Sequence, residues 1–188
     1  MKLLGRQIDN NDFWKGFYTV TLFLGLILMY LEIFLYRMTF IKIGILLIII
    51  VVVGSVTFAL IRKKYKSTYN LKGNFFPLMQ SFLSWGFILS YLFLATNYYL
   101  ADKDITEHEL KIKSKSSLPG YKITSKRQPT VRFDYADLEK ELVFYSSNSE
   151  LVENAKSIKL QLRKGALGFD IIENFQLINE SKVNINNR

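Results

Sequence analysis

The chain has 188 residues, a formal net charge of +9 and no cysteine. Without cysteine it has no disulfide, thiolate zinc site, iron–sulfur cluster or cysteine nucleophile. The charge is unevenly placed: residues 1–100 hold ten Lys/Arg against three acids, and residues 101–188 hold fifteen against thirteen. In a soluble protein a basic excess would point to nucleic acid. Here it lies among long apolar runs, where it reads as a topology signal, and no nucleic-acid partner is expected.

Residues 1–16 read as a cytoplasmic N-terminal tail, followed over 17–100 by three transmembrane helices at about 17–36, 39–61 and 77–100. Each is near or above the ~20 residues a helix needs to cross the ~30 Å hydrocarbon core. The first run is not read as a cleaved signal peptide, because it is too long, sixteen residues precede it and no small-residue cleavage site follows. Lys and Arg in short flanks resist translocation. Lys2, Arg6 and Lys15 before the first helix, with Arg62, Lys63, Lys64, Lys66 and Lys72 between the second and third, make eight basic residues. The opposite turn carries two, Arg37 and Lys42. This count places the N-terminus in the cytoplasm and the C-terminal region in the periplasm or outside the cell, across a bacterial inner (plasma) membrane. The cluster Arg62, Lys63, Lys64 and Lys66 is first a stop signal and second a site for anionic lipid headgroups.

The short turn from Arg37 to Lys42 predicts an antiparallel hairpin of the first two helices. In the third helix Gly86 and Ser90 are four apart, a spacing that lets backbones approach closely, and Gln80, Ser81 and Ser84 add hydrogen-bonding groups. Gly86, Ser90, Gln80 and Ser84 are therefore the candidates for helix packing, within this chain or to a partner. Glu32 is the one acid inside a helix. It lies near the outer end, within reach of headgroups, Arg37 or Lys42, so an interfacial or inter-helix contact is expected, and an intramembrane acid is also a candidate for a proton, ion or partner role.

Past the membrane, residues 101–107 read as a juxtamembrane linker, 108–178 as an extracytoplasmic β domain and 179–188 as a flexible tail. Period-two alternation of β-branched and aromatic residues predicts strands at 108–114, 120–126, 129–135, 140–146, 156–164 and 167–178. SSLPG, KRQP and SSNSE are expected to turn, ADLE and KGALG to close hairpins, and LVENAK to add a helical turn. The fold class is a membrane α + β protein: three transmembrane helices followed by a small, mainly antiparallel β domain, sandwich or barrel-like.

The outer domain offers little catalytic chemistry. One histidine, His108, without cysteine makes no usual zinc site, and no GxSxG elbow exists to receive it as a base. His108 reads as a solvated linker residue. Asp134, Asp137, Glu139 and Glu141 crowd one hairpin without a calcium-loop pattern, and the glycines of KGALGFD lack the GK[ST] of a phosphate loop. Lys122, Lys126 and Arg127 form an outer basic patch, and Asn179-Glu-Ser is a formal glycosylation acceptor.

The function expected from sequence is a non-catalytic integral membrane subunit or scaffold. Its helices would associate with other membrane spans, or with copies of itself, in the lipid bilayer, and its outer domain would bind a partner or ligand. The alternatives are a small homo-oligomeric transporter or channel component and, behind it, a membrane enzyme acting on lipid or envelope substrates. No cofactor is implied.

Overall fold

The computed structural model describes residues 2–3, 6–7, 10–119 and 126–179. They form two compact units, one of 1–37 with 42–96 and one of 38–41 with 97–188.

The first unit is helical. α1 spans Asn10–Met38, α2 Ile43–Tyr69 and α3 Phe75–Tyr99, and all three are long and apolar enough to cross a membrane. α1 starts ahead of its apolar run, with Asp12 in the first turn where a carboxylate complements the helix dipole. α2 runs past its apolar stretch through the basic cluster. It ends where Asn70 adopts a left-handed conformation (φ 53°), a cap that asparagine tolerates, with its N–H on the Lys66 carbonyl. α3 contains a π-helical turn over Phe82–Gly86. A two-residue ribbon, β1 (Lys2–Leu3) with β2 (Arg6–Gln7), precedes the helices.

The close helix contacts in this unit use small and polar residues, beside the buried Tyr18, Leu35, Leu46, Ile88 and Leu94. Gly25 of α1 lies against the Leu83 carbonyl and the Ser84 backbone of the π-helical turn, leaving no room for a Cβ. Gly54 of α2 faces the Phe82 ring, and a Cβ on Gly86 would stand 3.0 Å from the Ile50 side chain. Along α1, Val20, Phe23 and Ile27 are exposed, and along α2 so are Ile48, Val52 and Leu60. That pattern suits a hydrocarbon solvent, where large apolar side chains have no reason to hide.

The second unit holds two antiparallel three-stranded sheets and no closed barrel. One has the order β3-β7-β8, from β3 (Ile105–Lys111), β7 (Ser157–Lys164) and β8 (Asp170–Ile178). The other has the order β4-β5-β6, from β4 (Ser114–Leu118), β5 (Gln128–Tyr135) and β6 (Leu138–Val143). A short helix, α4 (Ser149–Asn154), stands where LVENAK was expected to turn helical. Both sheets feed one core: Val131, Phe133 and Leu142 from one, Ile158, Leu160, Leu162 and Ile172 from the other.

Several boundaries differ from the sequence expectation. β3 begins at Ile105, inside the stretch read as a linker, so His108 stands on a strand opposite Leu160 with its ring edge-to-face on Tyr135 at 5.5 Å. SSL of SSLPG is not turn but the end of β4, paired with Gln128, Pro129 and Thr130. The strand expected at 120–126 falls outside the described residues except for Lys126. The largest difference concerns Met38–Ile41, expected only to turn. Thr39, Phe40 and Ile41 are buried; Phe40 belongs to the β core, 4.6 Å from the Tyr135 ring, and Thr39 bridges Ile171.

Candidate functional site

Within the helical unit, polar groups form a ladder between α1 and α3. The Gln80 side-chain amide donates to the Tyr18 carbonyl at 2.9 Å and to Thr21 Oγ1 at 3.2 Å. Thr21 itself returns its hydroxyl to the Phe17 and Tyr18 carbonyls of its own helix. Ser84 donates to the Gln80 carbonyl and Ser81 to that of Pro77. At the top of the ladder the Ser90 hydroxyl donates to Glu32 Oε1 at 2.5 Å. These hydroxyls and the Gln80 amide nitrogen are thereby satisfied in a region where an unmet hydrogen bond is expensive.

Gly86 and Ser90 do not make one face: Gly86 meets Ile50 of α2, whereas Ser90 meets Glu32 of α1. α3 lies between the two other helices and spends its small residues on both. Glu32 is buried, at 7% exposure, and makes an inter-helix hydrogen bond with Ser90. The carboxylate's second oxygen, Oε2, is buried with no hydrogen-bond partner among the described residues. Beside it is a hollow of about 250 Å³, lined by Met29, Ile33, Leu46, Ile50 and Phe87 among others.

At the opposite end of the ladder sits an aromatic and basic belt. Trp14 and Tyr18 of α1 stack with one another, and Tyr18 meets Tyr65 and Tyr69 of α2 at 4.8 and 6.3 Å. Lys64 lies over the Trp14 ring at 5.4 Å, Arg62 over Phe58, and Lys66 donates to Asn74. Lys63 is exposed. The start of α1 and the end of α2 therefore share one end of the unit, with Trp and Tyr at the level where amphipathic rings favour a membrane interface.

In the β unit the acidic hairpin is met by a cation. Lys113 bonds Glu139 at 2.7 Å and Asp134 at 3.1 Å, and these two carboxylates, Glu139 foremost, hold its ammonium above the usual lysine range. Arg132 pairs with Glu141. Lysine thus takes the place a calcium ion would need, and among the described residues no group of His, Asp or Glu is set to hold a metal. Of the outer basic patch, Arg127 is turned onto Ser117, donating to its hydroxyl at 2.7 Å and its carbonyl at 2.8 Å, while Lys126 is exposed and Lys122 lies outside the described residues. The glycines of KGALGFD close the β7–β8 hairpin, and Asn97 organises that loop. Its Oδ1 accepts from the Leu167 N–H at 3.0 Å, its Nδ2 donates to the Phe169 carbonyl at 3.1 Å, and Gly165 leaves the room its side chain fills.

Sequence reasoning missed Gly25, Asn97 and Phe40. Gly25 had a signal, since Thr21 precedes it by four positions. Asn97 and Phe40 carried none, because their partners are far along the chain. Compared with protein-family models, with characterised proteins and with solved structures, the chain matches none.

Proposed function

We propose that the chain is a non-catalytic integral membrane subunit or scaffold: a three-helix anchor that carries a β unit for binding a protein partner outside the cytoplasm. The observation that supports this most directly is how polar groups are used. Most of those in the helices are used in the ladder between α1 and α3, whereas the β unit offers β3, which among the described residues is an edge strand paired only with β7 and exposed along most of its length. Such an edge is a template for strand addition by an extended partner segment.

The orientation belongs to the same proposal, with the N-terminus in the cytoplasm of a bacterial cell and the β unit across the plasma membrane. The aromatic and basic belt, gathered at one end of the helical unit, supports it. Because the chain lacks cysteine, single cysteines can be placed at will. A membrane-impermeant maleimide added to intact cells should label Ser114→Cys and spare Lys63→Cys.

The deciding experiment is extraction in mild detergent at native expression, then sizing and identification of co-migrating proteins. A stoichiometric partner whose retention is lost when Glu107→Pro blocks the β3 edge supports the reading. A lone monomer sinks it, and a clean homo-oligomer replaces it with the transporter reading.

A further inference from the structure

The hollow beside Glu32 has the makings of a binding site that the subunit reading does not use. Its walls come mainly from the apolar Met29, Ile33, Leu46, Leu47, Ile50 and Phe87; Glu32 is the acid among its lining residues, and Tyr36 is the other lining residue with a polar group. One carboxylate oxygen is already engaged by Ser90, and the other is buried without a hydrogen-bond partner among the described residues. A buried oxygen in that condition carries a desolvation cost that a donor would relieve. Water is poorly held, because it needs two to four polar partners and the lining is hydrocarbon apart from Glu32 and Tyr36. Ile33 and Leu47 are about half exposed, at 51% and 52%, so the hollow opens on the face turned to lipid.

Size and position narrow the occupant. At about 250 Å³ the hollow is smaller than the ~300–1,000 Å³ of pockets that enclose a whole ligand, so only one end of a longer molecule seats in it. Glu32 stands six residues before Met38, the end of α1, or ~9 Å along the axis at 1.5 Å per residue. That is the depth at which the polar end of an amphiphile lies. An amine would suit only an ionised carboxylate, and an ester carbonyl only a protonated one. A hydroxyl suits both, since it donates to the first and accepts from the second.

We propose that this hollow is a lipid-alcohol site, in which the hydroxyl end of a long apolar molecule hydrogen-bonds Glu32 Oε2 while its chain runs out into the bilayer. Two sources share this chemistry, a long-chain or isoprenoid primary alcohol and the free hydroxyl of a diacylglycerol.

The test uses the full chain in detergent and photoactivatable probes bearing a diazirine near the polar end: a long-chain alcohol, a diacylglycerol and, for each, the analogue with hydrogen in place of the hydroxyl. Labelled peptides are located by mass spectrometry. At least one of the two alcohols should label the segments around Met29–Ile33 and Leu46–Ile50 about tenfold more than its hydroxyl-free analogue, the weight of one hydrogen bond to a buried carboxyl group. Glu32→Leu should abolish that preference. Leu47→Trp, at a half-exposed position that leaves Glu32 and Ser90 untouched, should block labelling by filling the hollow, and it serves if Glu32→Leu fails to fold. A preference shown by the diacylglycerol alone assigns the hydroxyl to the glyceride source, and one shown by the long-chain alcohol alone to the single-chain source. Equal labelling by both alcohols and their hydroxyl-free analogues, indifference to both substitutions, or cross-linking of a protein helix through the hollow overturns the proposal.

Discussion

In the helical unit the buried positions include Thr21, Gly25, Gln80, Ser81, Ser84 and Ser90 beside a few large residues such as Tyr18, Leu46 and Leu94, while in the β unit the core is Val131, Phe133, Ile158, Leu160, Leu162 and Ile171. Most large apolar side chains of the first unit point outward and most of those of the second point inward. Water drives the second arrangement, since each fully buried Leu or Phe is worth ~1.5–3 kcal/mol relative to exposure. Lipid gives helices no such gain, so close backbone contact and hydrogen bonds have to hold them. The same chain therefore uses two codes, and a substitution should be costly in one unit for reasons that do not exist in the other.

The sharpest way to break this contrast is in the β core. Phe133 is fully buried, and Phe133→Ala is expected to cost ~3–5 kcal/mol, seen as faster proteolysis of the β unit and a lower thermal midpoint in detergent. Next comes Gly25→Val, which adds apolar surface and should nonetheless destabilise. Its Cβ would fall on the Leu83 carbonyl, at a cost of ~1–3 kcal/mol. Both tryptophans, Trp14 and Trp85, lie in the helical unit, so their fluorescence reports this change separately. Phe133→Ala should leave the emission in place, and Gly25→Val should move it.

A gain is expected at the β5–β6 turn. Ala136 and Asp137 have φ of 48° and 60°, the left-handed pair of a type I′ hairpin. A non-glycine residue there is disfavoured by ~1–2 kcal/mol. Ala136→Gly should raise the β unit's midpoint by the equivalent of ~1 kcal/mol.

The smallest effect is electrostatic. Hydrogen bonds from Lys159 first, then Gln161, hold the Glu107 carboxyl below its usual range. A depressed carboxyl stabilises above its unfolded value, and that contribution disappears as pH falls through the folded one. Acidification should therefore erode the β unit slightly more in the wild type than in Glu107→Gln. Salt should shrink the difference, since the pair is exposed.

The fold was largely legible because both codes are periodic. The length of the three apolar runs gave the helices, and alternation such as Val131, Phe133 and Tyr135 gave the strands that face the core. β4 was not legible: Ser114–Leu118 is an exposed edge whose conformation comes from its register with β5, and SKSSL has no apolar alternation of its own. The π-helical turn of FLSWG is likewise silent, because nothing in those residue types distinguishes it from an ordinary turn. Of the candidate site, Glu32, Gln80, Ser84, Gly86 and Ser90 stood out as polar or small residues in apolar helices. Which of them meet was not readable, since Ser90 and Glu32 are separated by 58 positions.

Phe40 gives the molecule an order of assembly. It is placed in the chain between two membrane-spanning segments, yet it completes a core built from strands that are synthesised after both α2 and α3. The core of the β unit cannot be completed until α2, α3 and the strands through β8 have been made, and until then Phe40 waits for Phe133 and Tyr135, its aromatic neighbours. A soluble fragment cut to begin at residue 101 would lack Phe40, Thr39 and Asp170's backbone donor from Phe40, together with the Asn97 that holds the 165–169 loop. Such a fragment carries every strand of both sheets and still has a hole where Thr39 and Phe40 should contribute.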